Sequence, residues 1–128
     1  MSRRWLLGAV ATLTALVGAV TAPWPSGVAA QGTGSQVAVS VSARKFAFDP
    51  RVIEVQEGDL VTVTLRAVDI PHSFTIDAYR ISKRAAAGDA VTFEFRASQP
   101  GTFPFYCDLR IEDGCRQMRG ELVVRPRR

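Results

Sequence analysis

The chain predicts an all-β fold, an antiparallel Greek-key β-sandwich, on three observations. Apolar and polar residues alternate over short runs, as in Val61-Thr62-Val63-Thr64-Leu65-Arg66 and Val91-Thr92-Phe93-Glu94-Phe95-Arg96. A period of two sends one set of side chains to a buried face and the other to water. Turn-forming clusters, among them Glu57-Gly58-Asp59, Ala87-Gly88-Asp89 and Ser98-Gln99-Pro100-Gly101, recur between the runs. After the N-terminal apolar run, no stretch carries convincing helical periodicity. Seven or eight short strands at this spacing are expected to close as two packed sheets.

The elements follow in order. Val37, Val39 and Val41 alternate with small residues, Phe46 and Phe48 resume the period beyond Arg44-Lys45, and Asp49-Pro50 ends the stretch as a turn. Val52 to Val55 is a short strand. Val61, Val63 and Leu65 then point inward while Thr62, Thr64 and Arg66 point outward. Phe74 and Ile76 alternate around Thr75, and Asp77 to Ala86 has room for a short turn of helix. Val91, Phe93 and Phe95 form the next inward set. Thr102 to Cys107 is extended, and Gly120 to Val124 closes the fold. Valine and phenylalanine on the inward period supply the core whose burial outweighs chain ordering.

The N-terminus reads as an export signal over residues 1–30. Ser2-Arg3-Arg4 gives a positive start, Trp5 to Val20 is largely apolar, and Val28-Ala29-Ala30 offers small residues for cleavage. The paired arginines are compatible with either Sec-type or twin-arginine export. The apolar run falls short of the ~20 residues of a bilayer crossing and is closed by Pro23 and Pro25. Cleavage would release the domain to the periplasm or the exterior; retention would leave an N-terminal membrane tether. Either destination is oxidising and permits a disulfide. Residues 31–36 are Gly/Ser/Thr-rich and read as a flexible segment, with one small domain over 37–128 that is expected to act as a monomer.

Loss of Arg3 and Arg4 takes the formal charge from +4 to +2, and much of the remaining excess is Arg125, Arg127 and Arg128 at the tail. No basic stripe with interleaved aromatics accompanies it, which argues against a nucleic-acid partner. Paired carboxylates in a catalytic setting, a Ser-His-Asp arrangement and a glycine-rich phosphate loop are all missing, so the chain does not read as an enzyme.

What does carry chemistry is a split set of soft ligands. His72 in Pro71-His72-Ser73-Phe74 is the only histidine, and Cys107 and Cys115 are the only cysteines, followed by Met118. One nitrogen and up to three sulfurs would suit copper. The same residues also read as a core histidine, a disulfide and a packed methionine. An immunoglobulin-like sandwich fits less well, because its cysteines lie far apart and bridge two sheets, whereas these flank one loop.

Four segments resemble the cupredoxin family of small blue copper proteins: Glu57-Gly58-Asp59 before a Val/Thr strand, Pro71-His72-Ser73-Phe74, the run Pro100-Gly101-Thr102-Phe103-Pro104-Phe105-Tyr106-Cys107, and Met118-Arg119-Gly120-Glu121-Leu122-Val123-Val124. The resemblance implies His72 as the first nitrogen ligand, Cys107 as the strong thiolate and Met118 as the axial thioether of a mononuclear copper site. It also implies electron transfer with a protein redox partner. The family's second histidine is missing: the positions three and five after the cysteine are Arg110 and Glu112, and the eighth is Cys115. Arg110 is no substitute, since its guanidinium stays protonated and has no acceptor. The second cysteine of a dinuclear centre would fall at Ile111, which argues against two coppers. Cys115 reads as a second thiolate, as the disulfide partner of Cys107, or as a free thiol. Two thiolates would also suit Cu(I) carriage or storage with a copper-transfer partner, and a disulfide would suit a copper-free binding or structural module. Phe74, Phe105 and Tyr106 are candidates either for shielding the site or for ordinary core packing. Arg110, Arg116 and Arg119 hint at an acidic docking partner.

Overall fold

Alternation in the Val61–Leu65 run decides which face of its strand is buried. In the computed structural model, which describes residues 34–128 and ahead of them Gly18 alone, that run lies in a strand whose inward residues Val61, Val63, Leu65 and Ala67 are fully buried. The expected export signal, and with it residues 31–33 of the flexible segment, fall outside the described residues. Nine strands follow in order among the described residues: β1 (Gln36–Arg44), β2 (Ala47–Asp49), β3 (Val52–Gln56), β4 (Leu60–Ala67), β5 (His72–Ile76), β6 (Ile81–Ala85), β7 (Ala90–Arg96), β8 (Gly101–Tyr106) and β9 (Arg119–Arg125). Two 3₁₀ turns, Asp77–Tyr79 and Asp113–Gln117, complete them.

One sheet has the order β2-β1-β4-β7 and the other β3-β9-β8-β5-β6. The two-sheet sandwich is the expected one, but its sheets are mixed rather than purely antiparallel. β1 runs parallel to β4, from Gln36 opposite Leu60 to Ala43 opposite Ala67, and β3 runs parallel to β9. Side-chain alternation specifies which face is buried and is blind to strand direction, so the sequence pattern could not distinguish these pairings. The chain changes sheet between β2 and β3 and returns at β4, which brings β1 and β4 together without a hairpin.

β7 pairs antiparallel with β4, setting Phe93 opposite Val63 and Val91 opposite Leu65. Phe93 is buried, and Val91 and Phe95 are half-buried against the same core. On the outer face of that pair, Thr62 Oγ1 donates to Glu94 at 3.0 Å and the Thr64 and Thr92 hydroxyls meet at 3.1 Å. Between the sheets Phe48, Phe74 and Phe105 form an aromatic cluster, with the Phe74 and Phe105 rings stacked at 4.6 Å and Phe48 edge-on to Phe105 at 5.1 Å. Phe46, which the alternation grouped with Phe48, is 38% exposed in the turn between β1 and β2.

Asp59 ties the far end of the domain together. Its carboxylate accepts the N–H of Gln56 at 2.9 Å, the N–H of Ser35 at 3.0 Å and the Arg127 guanidinium at 2.6 Å. The Gln56 N–H is the largest influence on this carboxyl. With Ser35 and Arg127 it holds the group below the ordinary carboxylate range, against the opposing effect of burial. A carboxyl depressed in the folded state adds stability above its unfolded pKa, and that stability is lost as pH falls through the folded value. Acid unfolding followed by circular dichroism should therefore show wild-type stability declining below about pH 4 more steeply than that of Asp59→Asn. At neutral pH the variant should be weaker by about 1–3 kcal/mol. Equal acid slopes would remove Asp59 from this role.

Gly120 in β9 sits opposite Phe105 in β8. A Cβ there would fall on the Phe105 ring and 2.7 Å from the Arg51 carbonyl oxygen. Backbone oxygen cannot yield as a flexible side chain can, so Gly120→Ala should cost about 1–3 kcal/mol in urea unfolding. An unchanged midpoint would mean that the ring and strand shift freely.

Candidate metal centre

The site grows from the pairing of β5 with β8. Their ladder is a single bridge, Thr75 opposite Tyr106. Beyond it, side chains take over from backbone ladder bonds. Ser73 Oγ accepts the Asp108 N–H at 2.8 Å and donates to Asp108 Oδ1 at 2.5 Å, and Ser82 donates to Asp108 Oδ2 at 3.2 Å. The Ser73 hydroxyl leads in holding the Asp108 carboxyl below its ordinary range, aided by Ser82 and opposed by burial. This bracing sets the end of β8 against the start of β5, and the Ser73 N–H points to Cys107 Sγ at 3.5 Å.

Every residue of β5 is buried, and His72 at its start is fully enclosed. A buried ring needs partners for both nitrogens. Nε2 lies 2.8 Å from Asp69 Oδ1, while Nδ1 has no hydrogen-bond partner among the described residues. Burial is the largest influence on Asp69 and favours its neutral form. The N–H groups of Lys45 and Ile70, with the His72 ring, overcome it and hold the carboxyl well below the usual range. An ionised carboxylate can only accept, so Nε2 carries the proton in this contact, and in the neutral form of the ring the lone pair lies on Nδ1. That arrangement prepares an imidazole to act as a metal ligand.

A ring nitrogen of His72 and the sulfurs of Cys107 and Cys115 all lie within 4.8 Å of one another, and the three residues are buried. Residues distant in sequence are thus brought together: β5 supplies the histidine, Cys107 follows directly on β8, and the 3₁₀ turn Asp113–Gln117 supplies Cys115. In the structure Cys107 and Cys115 are joined as a disulfide, the alternative to two separate thiolates. In this oxidised form neither sulfur is a thiolate, so the donor set fits copper only after reduction to the dithiol. Met118 is 1% exposed just past the turn, its N–H bonded to the Cys115 carbonyl at 3.1 Å.

Phe74 and Phe105 are core residues, whereas Tyr106 is half-buried and donates to Asp77 at 2.9 Å. Asp69, Ser73 and Asp108 escaped the sequence reading. Their signal was position alone: one acid three residues before His72, one hydroxyl after it, and one acid after Cys107.

The sequence profile of a family described as "Cupredoxin-like domain" matches residues 10–124. Among curated relatives, cytochrome c oxidase subunit 2 of Thermus thermophilus is 27% identical over 105 residues, covering 80% of this chain and 78% of that protein. Among solved structures, a copper nitrite reductase from Nitrosomonas europaea is 25% identical with a TM-score of 0.62, covering 72% of this chain and 42% of the other. Auracyanin A, a blue copper protein from Chloroflexus aurantiacus, has a TM-score of 0.59 at 18% identity, covering 70% and 98%, and is a likeness of fold.

The cross-link closes a loop with a sequence separation of 8. For so short a loop, constraint of the unfolded chain gives about 2–3 kcal/mol. Reducing the metal-free protein should lower its unfolding free energy by that amount, measured in urea with and without a phosphine reductant. No change would show that the disulfide adds nothing to stability.

Proposed function

The chain belongs to the cupredoxin-like family, and on that premise we propose that it is an exported, non-enzymatic mononuclear copper-binding protein whose dithiol form loads the metal for electron transfer. The observation that carries this reading is the buried cluster itself: a His72 ring nitrogen lies within 4.8 Å of both sulfurs, and the ring's Nδ1 has no hydrogen-bond partner among the described residues. His72, through Nδ1, the reduced sulfurs of Cys107 and Cys115, and the Met118 thioether would hold copper. When bound, copper supplies one-electron redox chemistry. The protein's part is to keep the ligands in place and water out. Asp69 fixes the His72 tautomer, the Ser73 N–H restrains the Cys107 sulfur, and the aromatic cluster packs beneath β5 and β8. Its partner would be a redox protein, and an uncleaved N-terminus would hold the domain at a membrane.

Two specific features support other uses of the same residues. A second sulfur in place of the second imidazole adds soft, anionic donation, which favours Cu(I) and hence carriage or storage with a copper-transfer partner. The disulfide itself favours a copper-free module stapled by Cys107–Cys115.

Anaerobic titration with Cu(I), followed by native mass spectrometry, separates these readings. The reduced chain should take up one copper and the oxidised chain none. Asp69→Asn should bind about 10–100-fold more weakly, and His72→Ala more weakly still. Retention of one copper in both valence states supports electron transfer, and retention of Cu(I) alone supports carriage. No uptake by the reduced chain would leave the stapled module.

A further inference from the structure

A cleft of about 430 Å³ opens beside the disulfide, lined by Tyr106, Cys107, Asp108, Arg110, Arg116 and Arg119. Cys107 lines it and Cys115 does not, although both residues are nearly enclosed, at 1% and 2% exposure. The three arginines are exposed, and none of them pairs with a carboxylate among the described residues. Arg119 lies over the Tyr106 ring at 5.0 Å. The one acid in the lining, Asp108, is occupied by the hydroxyls of Ser73 and Ser82. The cleft therefore presents net positive charge beside Cys107, with three guanidiniums set against the one Asp108 carboxylate. Such a setting concentrates anions and stabilises thiolates. Its small size and the depth of the sulfurs favour a slim reagent over the face of a folded protein.

We propose that this cleft admits small anionic thiols, which reduce the Cys107–Cys115 disulfide by attack at the Cys107 sulfur. The reagent's thiolate forms a bond to Cys107 Sγ as the Cys107–Cys115 bond breaks, and the electron pair leaves on Cys115. A second reagent thiolate then attacks the reagent sulfur of this mixed disulfide. It releases Cys107 as a thiolate and leaves as the oxidised reagent disulfide. Two electrons pass from two thiols to the protein, and the two thiol protons end on the cysteines or in solvent. The exchange step stands on the cleft alone. Its consequence, unmasking the ligand pair, rests on the copper-binding reading above.

The test uses the oxidised, metal-free protein and two small thiols of opposite charge, 2-mercaptoethanesulfonate and cysteamine. Reduction is followed by mass, and each rate is divided by that of the same thiol with a neutral small-molecule disulfide at the same pH. The sulfonate thiol should have a normalised rate about tenfold or more higher at low ionic strength. That advantage should shrink towards unity in ~1 M salt, where the Debye length is ~3 Å. It should also shrink in Arg110→Ala/Arg116→Ala, with trapped mixed disulfide mapping to Cys107. Equal normalised rates, faster reduction by cysteamine, a mixed disulfide on Cys115, or reduction only in denaturant would each overturn the proposal. Copper uptake by the protein after reduction is measured separately, so a failed metal reading and a failed thiol cleft give different results.

Discussion

The short β5–β8 contact is the constraint on which the site depends. One ladder bridge joins the two strands, and past it the sheet is held by a serine hydroxyl working both ways on Asp108. If that brace were absent, the ends of the strands could splay, and the histidine and cysteine would have no reason to meet. Ser73 uses its hydroxyl for Asp108 while its own N–H faces Cys107 Sγ. Position and hydrogen bonding of the sulfur are thus set by one residue. The aromatic stack of Phe74 on Phe105 lies on the same two strands and couples this geometry to the core.

Much of the sandwich was legible because burial in a sheet has a period of two. Val61, Val63 and Leu65 announced their inward face, and their partners on β7 did the same. Strand direction was not legible, since the alternation reads the same in either direction, and the parallel β1–β4 and β3–β9 pairs came only with the structure. Two short features were also hidden. β6 is mostly exposed, with Ser82, Lys83 and Arg84 on the surface, so it carries little apolar signal. The turn over Asp113–Gln117 buries Cys115 alone, which leaves no periodicity to detect.

The site was legible as a set of rare residues and less so as a chemical state. His72, Cys107 and Cys115 stood out by chemistry and do cluster. Spacing could not choose between thiolates and a disulfide, because a short loop that brings two sulfurs to one metal needs only side-chain rotation to bring them to bonding distance. Asp69 was silent for a different reason. An acid three residues before a histidine is common in loops, and only the buried, unpartnered Nδ1 turns the Asp69–Nε2 contact into an orienting bond.

The carboxylate of Asp59 has a mechanical consequence. Ser35 near one end of the domain and Arg127 near the other both meet it, so the two chain ends leave the body side by side. Tension applied between those ends would strain this cluster first. It would then peel β1 from β4 starting at Gln36 opposite Leu60, and β9 from β3 starting at Arg125 opposite Gln56. Peeling breaks hydrogen bonds one after another, whereas shearing loads a whole ladder together. β4 runs eight residues, or about 25 Å, from that point before the chain crosses to His72 at the start of β5. A tug on either end would be absorbed as fraying at one pole while the ligands at the other stay in register.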